Sequence, residues 1–204
     1  MSDSTQSTAH QNSHARFNER LNQILPRLTS PELLRNQGLG NEIGFWIFDY
    51  PAEYEIELRD FLKETVEPQL AKHSPPIKFA SLNLFDTVIG ILEERGHLEK
   101  ACDLQLRKGD EELLRALRPM LQEDKLAKRL VEQTQTDALD LLIIHGVGAV
   151  YPMLRTHTLL SALHPYMKDT PLLMFYPGRY DGLSLKLFNK LADDNYYRAF
   201  RLVS

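Results

Sequence analysis

Three short runs are apolar at nearly every position: "GFWIFDYP" at 44–51, "LDLLIIHG" at 139–146 and "PLLMFYPG" at 171–178. A strand with one wet face alternates apolar and polar residues, whereas a strand covered on both faces does not. Each run is bounded by glycine, proline or aspartate, and the segments between them repeat their apolar residues at helical spacing. Buried strands separated by helices imply a parallel sheet with helices on both faces. The expected fold is therefore α/β, a three-layer sandwich around a mostly parallel sheet of four or five strands. It is Rossmann-like in outline but carries no intact phosphate-binding loop.

The remaining elements are read the same way. "PPIKFASLNLFD" at 75–86 predicts a further strand, with Asn83 or Asp86 capping the helix after it, and "YYRAFRLV" at 196–203 predicts a terminal strand at a sheet edge. Helices are expected over Phe17–Leu28, kinked at Pro26, and from Pro31 behind a Ser30 cap. Others are expected over Glu53–Lys72 until Pro68 disturbs it, in two pieces around Pro119, over Val150–Met167, and over Leu183–Leu191.

With 204 residues, 43% hydrophobic and 25% charged, the chain is long enough for one ordinary core and too short for two independent domains. Residues 1–14 read as a disordered polar tail with no apolar segment of a secretory signal, and 15–204 as a single α/β domain. The single cysteine, Cys102, builds no disulfide framework, which fits a reducing cytoplasm. The longest apolar stretch, Leu139–Leu154, contains Asp140, His145 and Pro152 and is too short to span a bilayer, so no membrane role is expected.

A net charge of −4 argues against direct DNA binding. From Tyr151 onward, however, seven Lys/Arg face four Asp/Glu, a basic C-terminal quarter that suits an acidic partner surface or simply a solvated face.

Open α/β sheets gather ligands at the carboxyl ends of their strands. Here that edge collects Asp49 and Tyr50, then Asn83 and Asp86, then His145, Gly146 and Gly148, then Arg179, Tyr180 and Asp181. Known chemistries fail on inspection. Gly146-Val147-Gly148 continues into Ala149, Val150 and Tyr151, without the third glycine of a dinucleotide turn, and no G-x-x-x-x-G-K-[ST] string exists. His157 and His164 lack a zinc-binding frame, and Gly182-Leu183-Ser184-Leu185-Lys186 lacks the closing glycine of a nucleophile elbow. No catalytic, cofactor or metal residue is assigned, and the glycine turn reads as a place where the backbone needs room. The aromatic and arginine-bearing "DDNYYRAFRLV" adds Tyr197 and Arg198 as interface candidates, since Tyr and Arg anchor protein interfaces. An edge strand there leaves self-pairing into a homodimer open.

Several long strings, in order, resemble the BrxB family, a component of BREX bacteriophage-defence systems. They are "RFNERLNQILPRLTSPELLRNQGLGNEIGFWIFDYP", "LNLFDTVIGILEERG", "IIHGVGAVYPMLRTHTLLSALHP", "PLLMFYPGRYDGLSLKLF" and "DDNYYRAFRLV", together spanning Arg16 to Val203. The resemblance implies a bacterial accessory protein without enzymatic activity. It would act beside a PglZ-type phosphatase-like protein, its first expected partner, a large ATPase as a further one, and a DNA methyltransferase. It brings no catalytic residues to carry over. The rival expectation is a degenerate nucleotide-binding or enzymatic domain using Asp49, Asp86, His145 and Asp181 around the strand-end crevice.

Overall fold

The computed structural model describes the backbone of residues 2–35, 44–192 and 199–204 and the side chains of 11–35, 44–191 and 199–204. Five parallel strands form its centre: β1 (Phe45–Tyr50), β2 (Phe79–Asn83), β3 (Leu141–His145), β4 (Leu172–Tyr180) and β7 (Phe200–Arg201), in the spatial order β2-β3-β4-β1-β7. β1 and β4 are paired along the whole of β1, from Phe45 opposite Leu172 to Tyr50 opposite Pro177.

The uniform apolarity of the central strands has a direct cause. Successive side chains leave a strand on opposite faces, and both faces are covered. Phe45, Ile47, Leu142, Ile144, Leu172 and Met174 pack into one core, with α6 (Leu84–Glu94), α9 (Glu123–Thr134) and α10 (Thr156–Met167). Trp46, Phe48, Leu141, Ile143, Leu173 and Phe175 pack into the other, with α1 (Ser2–Leu21), α2 (Ile24–Leu28), α3 (Pro31–Leu34), α4 (Glu55–Phe61) and α5 (Glu67–Lys72). The three-layer α/β sandwich is the observed architecture.

The helices answer to local chemistry. The Ser30 hydroxyl accepts from Leu33 N at the start of α3, with Pro31 in the first turn. Pro68 lies at the start of α5, and the π-helical turn Leu62–Val66 before it absorbs the disturbance that its missing N–H causes. On the side of the first core, α7 (Leu98–Lys108) and α8 (Asp110–Leu117) form a helical pair, of which α7 buries no residue.

Three elements differ from expectation. α1 reaches back to Ser2, through the polar stretch read as a tail. α10 begins at Thr156 rather than Val150, because Gly148–Val150 forms a 3-10 turn of its own. Leu183–Leu191 is not a helix: β5 (Leu185–Leu187) returns antiparallel to the end of β4, and β6 (Leu191–Ala192) pairs with β5. The turn between them holds Phe188 and Asn189 at φ 54° and 59°, the left-handed pair that a tight hairpin demands.

Candidate functional site

The strand ends carry the expected polar residues, but the structure assigns them different work. Asp49, at the end of β1, is 8% exposed. Its Oδ1 accepts from Arg20 Nη2 at 2.6 Å, and its Oδ2 accepts from the backbone N–H of Tyr180 at 2.9 Å. The Arg201 guanidinium lies 3.8 Å away. Arg20 also donates to the Asp49 carbonyl at 2.7 Å and the Val203 carbonyl at 3.2 Å, and its guanidinium sits 4.7 Å from the centre of the Phe48 ring. This carboxylate joins α1, β1, β4 and the C-terminal strand, with its hydrogen-bonding capacity spent on the fold.

Tyr50 is likewise interior. Its hydroxyl donates to Glu55, and burial, followed by the Glu55 charge, pushes the phenol far above its ordinary range.

The "HGVG" turn is explained by close approach. Gly146 has φ +71°, and a Cβ there would lie 2.2 Å from Asn83 Oδ1. Asn83 is thereby free to cap α6, its Oδ1 accepting from Phe85 N at 3.0 Å and Asp86 N at 3.5 Å. A Cβ on Gly148 would stand 2.9 Å from the Phe188 ring and 3.0 Å from Pro177. The room beside this turn is thus taken by the chain's own Asn83 and Phe188, and the glycines make the space for them.

Arg179 is exposed, and among the described residues it makes no hydrogen bond or ion pair. Lys186, also exposed, is its direct cross-strand neighbour. Asp181 closes the loop beyond: its carboxylate accepts from Leu183 N at 2.9 Å, Ser184 N at 2.7 Å and Ser184 Oγ at 2.8 Å. Those bonds, the Ser184 N–H foremost, pull its pKa down to about 2. Tyr180, expected as a crevice or interface residue at the strand ends, is interior. It is fully buried, with its hydroxyl donating to the carbonyls of Ala199 at 2.7 Å and Gly182 at 3.1 Å. Tyr197 and Arg198 lie outside the described residues.

A cavity also opens along β2, at the ends of β2 and β3. A groove of about 620 Å³ is floored by Ser81, Leu82, Asn83 and His145. It is walled by Arg59, Lys63 and Glu67 on one side and by Asp86, Glu94 and Arg129 on the other. Burial lowers the His145 pKa below its ordinary 6.5; Glu67 and Asp86 oppose that shift and Arg59 reinforces it. Of the four residues expected around a shared crevice, Asp86 and His145 line this groove, while Asp49 and Asp181 do not. No group of three or more His, Cys, Asp or Glu among the described residues is arranged to hold a metal ion.

The profile of the family described as "BREX protein BrxB" matches residues 80–202, more than half of the chain. The chain belongs to the BrxB family. A "BREX protein BrxB" of Bacillus cereus (strain H3081.97) is 41% identical over 192 residues, covering 92% of this chain and 98% of that protein. A "BREX protein BrxB" of Escherichia coli O9:H4 (strain HS) is 44% identical over 184 residues, covering 90% of each. No solved structure matches. The BrxB-family region takes in β3, β4, the hairpin and most of the groove, but not the α1 segment that supplies Arg20. No helix among the described residues is long and apolar enough to cross a membrane.

Sequence reading missed Arg20, Lys186 and the groove-wall residues Arg59, Lys63 and Arg129. Arg20 stands 29 positions before Asp49, and no local pattern joins them. Lys186 was legible only as part of a helix. The groove residues sit in ordinary amphipathic helices, where a charge reads as solvated surface.

Proposed function

We propose that this chain is a non-enzymatic docking subunit of a BREX phage-defence assembly, which binds a PglZ-type partner and gates that partner's activity. The observation that carries the reading is the fate of the strand ends. Asp49 and Asp181 spend their carboxylates on their own chain, and Asn83 and Phe188 take the room beside the Gly146-Val147-Gly148 turn. What faces outward beside them is the β4–β5 hairpin. It carries Arg179 and Lys186 side by side, Lys190 close in sequence, and Leu183 at 58% exposure. Like charges directly opposite on a hairpin cost stability, so an acidic surface that relieves the pair is a favourable partner. The family membership places the chain among BREX proteins and supports a partner from the same system.

The test is light-scattering chromatography of the protein alone and mixed with the PglZ-type protein of its own system. A joint peak of defined mass is the expected result. Separate elution at both low and high salt would remove the docking reading.

A further inference from the structure

We propose that the open edge of β2 is a strand-acceptor site, where an extended segment of a partner protein adds to the sheet beside Phe79–Asn83. The proposal rests on the docking reading and locates the contact within it.

Among the described residues, β2 is the last strand on its side of the sheet, paired with β3 alone. All five of its residues are partly exposed, whereas β1 is buried throughout and β3 at four of five positions. The phase of its ladder follows from one bond. Leu141 N donates to the Lys78 carbonyl, so Lys78, Ala80 and Leu82 turn their backbone groups toward β3. Alternation turns those of Phe79, Ser81 and Asn83 outward. The Asn83 carbonyl accepts from the Thr87 hydroxyl, which leaves Phe79 and Ser81 to present donors and acceptors at the edge, with Ser81 on the groove.

Native sheets protect such an edge with charge, proline, a bulge, brevity or a covering element. The opposite edge does so: β7 is two residues long and one of them is Arg201. Phe79-Ala80-Ser81-Leu82-Asn83 has no charged residue, no proline and an unbroken register with β3. Among the described residues it has, in place of a cover, the groove of about 620 Å³. The Ser81 hydroxyl, on the groove floor, is a buried polar atom without a hydrogen-bond partner.

The chemistry of the floor selects the ligand. The outward N–H and C=O groups of Phe79 and Ser81, about 7 Å apart along the strand, are matched by another extended backbone. The walls carry both signs, Arg59, Lys63 and Arg129 against Asp60, Glu67, Asp86 and Glu94, so recognition rests on main-chain pairing rather than net charge.

The experiment uses the full chain with the PglZ-type partner and reads two quantities. Amide hydrogen exchange in the wild-type complex is expected to slow at Phe79 and Ser81 relative to the protein alone. Ser81→Pro removes one outward N–H while leaving the groups that face β3, and is expected to weaken binding about tenfold or more at low and high salt alike. Ser81→Ala, which keeps the backbone donor, stays within about threefold of wild type. Should Ser81→Pro fail to fold, the wild-type exchange pattern decides alone. A complex that forms with exchange at Phe79 and Ser81 unchanged overturns the strand-acceptor site and leaves docking intact. Absence of any complex overturns both.

Discussion

The Asp49 carboxylate accepts the backbone N–H of Tyr180 across the β1–β4 interface at 2.9 Å, while its other oxygen holds Arg20. A residue at the mouth of an α/β sheet is thus an internal fastener for the N-terminal helix and the end of the longest strand. Asp49→Ala removes the carboxylate from Arg20, which keeps its two carbonyl acceptors, and leaves the Tyr180 N–H unpaired in a mostly buried place, which costs about 2–4 kcal/mol. Asp49→Asn keeps one acceptor and costs about half as much. Urea unfolding of the two variants checks the order, and equal stability of Asp49→Ala and wild type would refute the fastener role.

Gly146 and Gly90 make a matched pair for a second test. At Gly146 an alanine meets both a left-handed φ and the Asn83 side chain, so Gly146→Ala is expected to lose about 2–3 kcal/mol, part strain and part loss of the α6 cap. Gly90 lies inside α6 with nothing within 4 Å of an added Cβ. Gly90→Ala is expected to gain about 0.5–1 kcal/mol. Thermal melting of both variants separates a glycine needed for close approach from one that merely interrupts a helix.

Legibility followed burial. β1, β3 and β4 were readable because both faces of each are covered, which leaves a continuous apolar run. The misread segment shows why pattern fails in short elements. Leu183, Leu187 and Leu191 are spaced four apart, as on a helix face, yet Leu185 and Leu187 are buried on either side of exposed Lys186, which is strand alternation over three residues. The turn that decides it places a phenylalanine at positive φ, a conformation its side chain does not advertise. For the site, residue types at the strand ends were legible but their partners were not. Asn83 meets Gly146 only because the β2–β3 register sets Asn83 opposite His145, and nothing local in either segment encodes that.

The half-buried His145 gives the protein a pH dependence whose sign follows from its surroundings. Burial holds its folded pKa below 6.5, so the native state resists a proton that the unfolded chain accepts. As pH falls through the unfolded value the unfolded state binds more protons and stability declines, and the loss stops once pH passes the lowered folded value. The contribution is fully present above about pH 7. His145→Gln is expected to flatten the part of the stability profile between pH 7 and pH 5 that other groups do not cause. Urea midpoints at those two values, compared between wild type and variant, measure it. An unchanged slope would mean that His145 titrates normally in the fold.

Arg179 and Lys186 stand opposite each other on the outer face of the β4–β5 hairpin, and the repulsion between them separates a structural role from a docking one. Arg179→Glu converts a like-charge pair into an opposite one, which is expected to stabilise the free protein by roughly 0.2–1 kcal/mol. If the hairpin meets an acidic surface, the same change introduces repulsion there and weakens partner binding, most strongly at low salt, where exposed charges are least screened. A variant that melts higher yet binds the PglZ-type protein less well is the signature of a face kept basic for a partner. Unchanged affinity across salt would remove the hairpin from the interface while leaving the β2 edge, whose pairing is insensitive to salt, as the place of contact.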